Sequence, residues 1–258
     1  MNSTLIAIPP QDLIIFLFLF LRTLIFLFLF PLFAVNFFPT KIKILFSIAL
    51  SLAFTPFFSG KLNLPTSIHL IIPLIFVDFL IFFIVSYFYR LILGGLQLGG
   101  EVAGLQMGFG ISQTFDPASG VAMPIIAQFL YLIFLLLFFT FDIHHYLIYF
   151  LIKSSFQVTI GEFTFGRELF EYLLKRGSLI FEVAIKMFSA VLVFLFLINI
   201  ILAVIGRLLP QINVLFVSFP LTVGLGLFIF GVSLIFIPRI FTSYNKEFLK
   251  LLSFFLKS

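Results

Sequence analysis

Cysteine and tryptophan are both missing from this chain, and charge is scarce. Without cysteine there is no disulfide, no thiol nucleophile and no thiolate metal ligand, though nothing follows about compartment. Charged residues make up 10% of the sequence, against about 25% in ordinary soluble domains. Hydrophobic residues make up 62%, and the polar-faced alternation that a soluble helical protein needs is lacking. No Lys or Arg precedes Arg22, and the first apolar run, 13–33, is too long for the core of a secretory leader. The sequence therefore predicts that this segment is retained. No GxSxG elbow, P-loop, GxGxxG cradle or HExxH helix occurs, so the reading is of a protein that is not an enzyme and carries no cofactor.

What is present belongs to the membrane class. Apolar stretches approaching the length needed to cross a bilayer core of about 30 Å occupy 13–33, 42–58, 68–89, 124–152, 179–209 and 212–237. A glycine-rich seventh element covers 91–115. The expectation is an all-α integral membrane protein with six to seven hydrophobic helices in packed, tilted hairpins and a broken central segment. The stretch 124–152 would be about 43 Å long as one helix, and Asp142 within it predicts a break. The net charge of +5 is spread over loops and tail, which reads as membrane topology and not as nucleic-acid binding. With alternating sides, Lys61, the block 153–178 and the tail (Arg239, Lys246, Lys250, Lys257) fall together. Lys41, Lys43, Arg90 and Arg207 fall opposite. The 43 phenylalanines fit a genome rich in Phe, Ile and Lys codons and need no stacking function.

The region 94–124 is the most informative. Gly100, Gly104 and Gly108 recur every fourth residue, a smooth stripe where another backbone can come close. Glu101 lies within that stripe, and Asp116 precedes Pro117, which disfavours helix in the residue before it. Irregular polar backbone inside so apolar a protein survives only against other protein or along a watery cavity. The charged connector 153–178 reads as a solvated loop with a short surface helix; its Glu171 and Lys175 stand four apart, as a helical ion pair requires.

Several residues are candidates for polar work. Arg22 lies within the first run, where eighteen of twenty-one residues are apolar, so insertion is secure. Its charge should face protein or water, paired with an acid. Asp78, Glu101, Asp142 and Glu182 are the acids available, and Glu182 with Lys186 forms an expected i,i+4 pair. His144 and His145 are adjacent, do not share a helix face, and predict no metal site.

Two ordered groups of motifs resemble one family. The first runs Glu101-Val102-Ala103-Gly104-Leu105-Gln106-Met107-Gly108, then Phe115-Asp116-Pro117, Met123-Pro124 and Asp142-Ile143-His144-His145. The second is Gly206-Arg207-Leu208-Leu209-Pro210-Gln211-Ile212-Asn213-Val214, followed by Phe219-Pro220 and Gly224-Leu225-Gly226. Together, over essentially the whole chain, they are similar to the FliR family of flagellar export-gate proteins. Ile143 departs from the glycine common there, which weakens any role built on a flexible turn at that point.

The resemblance implies a single export-gate domain over 1–258 that assembles with FliP-like and FliQ-like subunits, and with an FlhB-like one. They would form an entry pore for unfolded flagellar proteins in the bacterial inner membrane at the basal body. It further implies that a loop within 104–123 helps plug the pore. Leu105, Met107, Phe109, Ile111 and Phe115 would exclude water there, and a constriction of such residues gates by dewetting. Gly100, Gly104 and Gly108 would pack against sister helices, while Arg22, Glu101, Asp116, Asp142, Arg207, Gln211 and Asn213 would be buried polar positions. The competing reading from residues alone is a secondary transporter for a small solute or proton with broken helices and buried acids. It would need two matching halves, and the break at 94–124 finds only a partial echo at 210–220.

Overall fold

The computed structural model describes residues 9–34, 39–62, 64–65, 68–109, 125–160, 167–209, 211 and 213–256. Among these residues every regular element is a helix. They run α1 (Pro10–Leu29), α2 (Pro31–Ala34), α3 (Thr40–Phe58), α4 (Ile68–Met107), α5 (Ile125–Thr140), α6 (Ile143–Ile160), α7 (Arg167–Arg176), α8 (Leu179–Leu208), α9 (Val214–Leu234) and α10 (Ile237–Phe255). Five are long and apolar enough to cross a membrane, or six if α5 and α6 count together as one broken span. The protein is an all-α, multi-pass membrane protein, as the composition predicts.

The chain forms two compact units interleaved in sequence. One comprises Met1–Arg90, His144–Leu173 and Leu249–Ser258, and the other Leu91–Ile143 and Leu174–Phe248. In the first unit, α1 packs along α3. Proline at the first helical position starts α1 without wasting an amide donor. Asp12 in its first turn accepts a 2.7 Å bond from the Ser59 hydroxyl at the end of α3. The seam between the helices is small and polar. The Thr23 hydroxyl lies 3.3 Å from that of Ser51, and Ser47 and Ser51 bond carbonyls four residues back on their own helix. Short side chains let two membrane helices approach closely, and hydroxyls bonded to their own backbone leave nothing unsatisfied in lipid. At the other end of α1, Arg90 donates to the Leu29 carbonyl at 2.9 Å, meeting a helix terminus that lacks its own partner. Around this seam Phe26 meets Phe82, and Phe82 meets Phe150, in edge-on ring contacts.

The second unit is organised by the part of α4 from Leu91 onward. The sequence predicts an interruption near Gly94, yet α4 runs unbroken for 40 residues, roughly 60 Å at ~1.5 Å each. Each interior glycine costs a helix about 1 kcal/mol, and here packing offsets it. A methyl group on Gly95 would lie 2.6 Å from Val183 Cβ and 2.7 Å from the Ile180 carbonyl oxygen. On Gly99 it would collide with the Phe188 ring, and on Gly100 with Leu130 while reaching within 3.2 Å of Ala127 Cα. The glycines are notches filled by α8 and α5. The break predicted at Asp142 is present: α5 ends at Thr140, α6 starts at Ile143, and Asp142 takes a left-handed φ of 55°. The tail that follows the last apolar stretch is also a full helix, α10.

Candidate functional site

The C-terminal end of α4 is where the second unit offers chemistry. Gly108 follows the last helical residue with φ 98°, a conformation other residues adopt at a cost. Its amide donates to the Leu105 carbonyl at 3.0 Å, and the Phe109 amide reaches the Gly104 carbonyl at 2.9 Å. Those two bonds close the helix with a Schellman cap, so Gly108 serves as a terminator and does not extend the packing stripe. Beside it, the Thr222 hydroxyl of α9 lies 3.2 Å from the Met107 carbonyl and 2.9 Å from that of Ser218. It satisfies one of the carbonyls left over at the end of α4.

Around this cap opens a groove of about 480 Å³. Gln106, Asn199, Ser218 and Thr222 give it polar edges, and Phe216 and Phe219 give it an apolar wall. Gln106 Oε1 is buried with no hydrogen-bond partner among the described residues. A buried acceptor of this kind costs about 1–3 kcal/mol unless water or another chain supplies a donor.

The residues expected to plug a pore part company here. Met107 is fully buried, and its side chain fills the notch at Gly226 on α9, so it belongs to the core of this unit. Leu105 is half exposed, and Phe109 half buried. Ile111, Phe115 and Asp116 lie outside the described residues. Of the packing glycines, Gly100 meets Leu130 and Ala127 of the same chain. The sequence reading gave that contact to sister subunits; the bulk that fills it comes from α5. Gly104 is buried.

The residues expected to be buried and polar divide within this single chain. Arg22 is enclosed, but Glu101, Asp142, Arg207, Gln211 and Asn213 are all exposed in this chain. The reason is local. Arg207 occupies the last turn of α8, where a cation faces the helix's negative end, and Gln211 and Asn213 lie in the turn into α9. Asn213 holds the N-cap position of α9 without a side-chain cap bond. These are outward-facing features of a corner.

Arg22 does have the acidic partner that its position demands. Its guanidinium bonds Asp78 of α4 and the Ser154 hydroxyl of α6, and both side chains of the ion pair are inaccessible to solvent. The Phe82 ring lies 5.0 Å from the charge and Phe18 5.9 Å away. Asp78 was legible as an available acid; Ser154 was not, because nothing in the sequence marks one serine among several. In the second unit, Glu182 and Lys186 form the expected pair at 2.6 Å, and Tyr244 of α10 approaches the same carboxylate at 3.4 Å. Burial first, and then the adjoining Glu182 charge, hold the Tyr244 phenol above its ordinary pKa. The His144 and His145 rings lie 4.0 Å apart at the start of α6.

Comparison with known proteins places these features. The sequence model described as "Bacterial export proteins, family 1" matches residues 13–248. The flagellar biosynthetic protein FliR of Pectobacterium carotovorum subsp. carotovorum is 33% identical over 149 residues, covering 58% of this chain and 57% of that protein. FliR of Escherichia coli (strain K12) is 28% identical over 207 residues, 80% of this chain and 79% of the other. FliR of Aquifex aeolicus (strain VF5) is 28% identical over 256 residues, 96% of each. With its capped glycine-rich α4 and its Arg207–Asn213 corner inside the matched span, the chain belongs to the FliR family of flagellar biosynthetic export proteins.

Proposed function

We propose that the chain is a non-catalytic subunit of the flagellar type III export gate in the bacterial inner membrane. With FliP-like and FliQ-like subunits it forms the entry pore for unfolded flagellar proteins, in the vicinity of an FlhB-like subunit. Family membership across residues 13–248 carries this reading. It is supported by what the second unit leaves open. Phe216, Phe219 and Phe228 of α9 and Phe196, Ile201 and Leu208 of α8 are exposed. Polar Arg207, Gln211 and Asn213 stand at the corner joining those two helices. Lipid can cover the apolar faces but not the corner, because polar groups at membrane depth turn toward protein or water. Protein neighbours satisfy both.

In this proposal the segment after Gly108 helps close the pore. Leu105 and Phe109 sit at its base, beside the groove whose Gln106 acceptor awaits a donor. Recovery of the intact protein in mild detergent tests the assembly. Small helical membrane proteins should co-purify in fixed ratio; a solitary chain that binds a small solute would overturn the gate reading. Deleting 108–120 tests the plug. Cells should then leak ions while the complex still assembles, and unchanged permeability in an assembled complex would remove that role.

A further inference from the structure

The C-terminal helix α10 carries a second surface that the gate reading does not use. Its inward positions are Ile237, Phe241, Tyr244, Phe248, Leu252 and Phe255, all buried. That spacing of three or four residues is one face of a helix. The opposite face is Arg239, Ser243, Lys246, Lys250 and Ser253, all exposed and spaced the same way. Amphipathic helices of this composition often lie on membranes by their apolar side. Here most of that side is already consumed by protein, which leaves the basic face open along the helix.

Among the described residues, no acid forms an ion pair with that face. Glu247, the acid within α10, is turned to Arg176 of α7 and forms an ion pair with it. Arg239, Lys246 and Lys250 form no ion pair with any described residue. The placement of the face is also set. The preceding helix α9 is long and apolar enough to be a membrane span and ends at Leu234. Ile235 and Phe236 follow, highly exposed, and Arg239 comes within one further turn. An exposed apolar pair passing directly into a basic stripe is the order in which a chain meets hydrocarbon and then headgroups. The contact between Arg176 and Glu247, with Tyr244 against Glu182, fastens this part of α10 to its unit.

We propose that Arg239, Lys246 and Lys250 on α10 form a docking surface for the phosphate headgroups of anionic membrane lipid. The surface binds by charge and geometry at the edge of the bilayer. It holds α10 along the membrane boundary instead of leaving it in solution. Continuity with the exposed end of a span selects lipid over an acidic segment of a soluble protein. Each basic residue at such a boundary is worth roughly five-fold in affinity for an anionic surface.

The intact protein, purified in neutral detergent, is titrated with phosphatidylglycerol or phosphatidylcholine, and bound lipid is counted by native mass spectrometry. Wild type should retain phosphatidylglycerol preferentially. The combined variant Arg239→Gln, Lys246→Gln, Lys250→Gln should lose most of that preference. A control carrying Lys41→Gln, Lys61→Gln and Lys153→Gln changes net charge equally and should keep it. Equal loss in both, or none in the first, would overturn the proposal. If the α10 variant does not fold, salt decides on the wild-type chain. Preference should fall steeply between 0.05 and 0.5 M sodium chloride, roughly as the screening length shrinks, and a salt-insensitive preference would overturn it. Inorganic phosphate at millimolar concentration should not displace the lipid. Displacement by a polyglutamate peptide at lower concentration than soluble glycerophosphate would assign the face to acidic protein instead.

Discussion

The glycines of α4 and those of α9 look alike in sequence and lie in opposite surroundings. Gly95, Gly99 and Gly100 face side chains of α8 and α5, and a single methyl group at any of them would collide with those neighbours. Gly224 and Gly231, seven residues apart on one face of α9, would meet nothing within 4 Å. Gly226 between them is different again, because Met107 reaches into it. Spacing thus tells that a helix surface is smooth, but not what comes against it. The charged residues divide in the same way. Arg22 is enclosed by Asp78, Ser154 and two aromatic rings, while Arg207 stands open on the corner of α8. Enclosed features hold the chain together, and the open ones are where the proposed assembly can be tested.

Substitution of Gly95 by Leu should break this division most severely. Val183 is branched at the contacting carbon, and the other contact is backbone oxygen, so neither can swing aside. Overpacking costs about 1–3 kcal/mol when a core can relax, and here it cannot. The protein should fail to reach a monodisperse state in detergent by size-exclusion chromatography. A variant that elutes and melts like wild type would show that α8 is not seated in the notch.

Next comes the enclosed charge. Arg22→Ala leaves the Asp78 carboxyl buried without its partner, a loss of about 3–5 kcal/mol where only one member of a buried pair is removed. The same change at Arg207 should cost less than about 0.5 kcal/mol in the isolated chain, as expected for an exposed site. Thermal melting in one detergent ranks the two. Arg22→Met combined with Asp78→Leu should recover most of the loss, because removing both charges also removes their desolvation cost. If the double change is as unstable as Arg22→Ala, the deficit is steric and the ion pair is not its source.

The open glycines predict the reverse pattern. A Cβ at Gly231 would meet nothing within 4 Å among the described residues, and Leu replaces a poor helix former, so with Gly231→Leu the melting temperature should hold or rise slightly. If a partner helix packs there, recovery of the complex should fall several-fold while the isolated chain stays folded. Unaltered co-purification would mean that this face of α9 lies against lipid.

Hydropathy carried most of the fold into view. The segments at 42–58, 179–209 and 212–237 coincide nearly residue for residue with α3, α8 and α9, since a span is a property of its own composition. The charge at Asp142 disclosed the break there, and the i,i+4 spacing disclosed Glu182 with Lys186. Two features escaped for one reason. The continuity of α4 depends on Val183 and Phe188, some 90 residues away, and local propensity alone argues for a break at paired glycines. Met107 enters the plug set through the resemblance, and in this chain Gly226, on a distant helix, makes room for it in the core. The helix α10 was legible in principle from its period of buried aromatics. Its charges interrupt the apolar run, so hydropathy marks no span there.

The smallest effect should come from Thr222, and it discriminates most finely. Its hydroxyl is shared between its own helix and the terminal carbonyl of Met107, so Thr222→Val keeps the shape and removes a contact between helices. Ser233, also on α9 and also buried, bonds the Phe230 carbonyl of its own helix at 2.7 Å and no other helix among the described residues. Net hydrogen bonds of this kind contribute about 1 kcal/mol, and a carbonyl left buried without a donor raises the cost. Thr222→Val should therefore destabilise by about 1 kcal/mol and speed hydrogen exchange at the Gly108 and Phe109 amides, whose bonds form the cap. Ser233→Ala should leave both unchanged. Equal exchange at those amides in the two variants would mean that the Schellman cap stands without α9, and that the end of α4 is positioned by its own sequence.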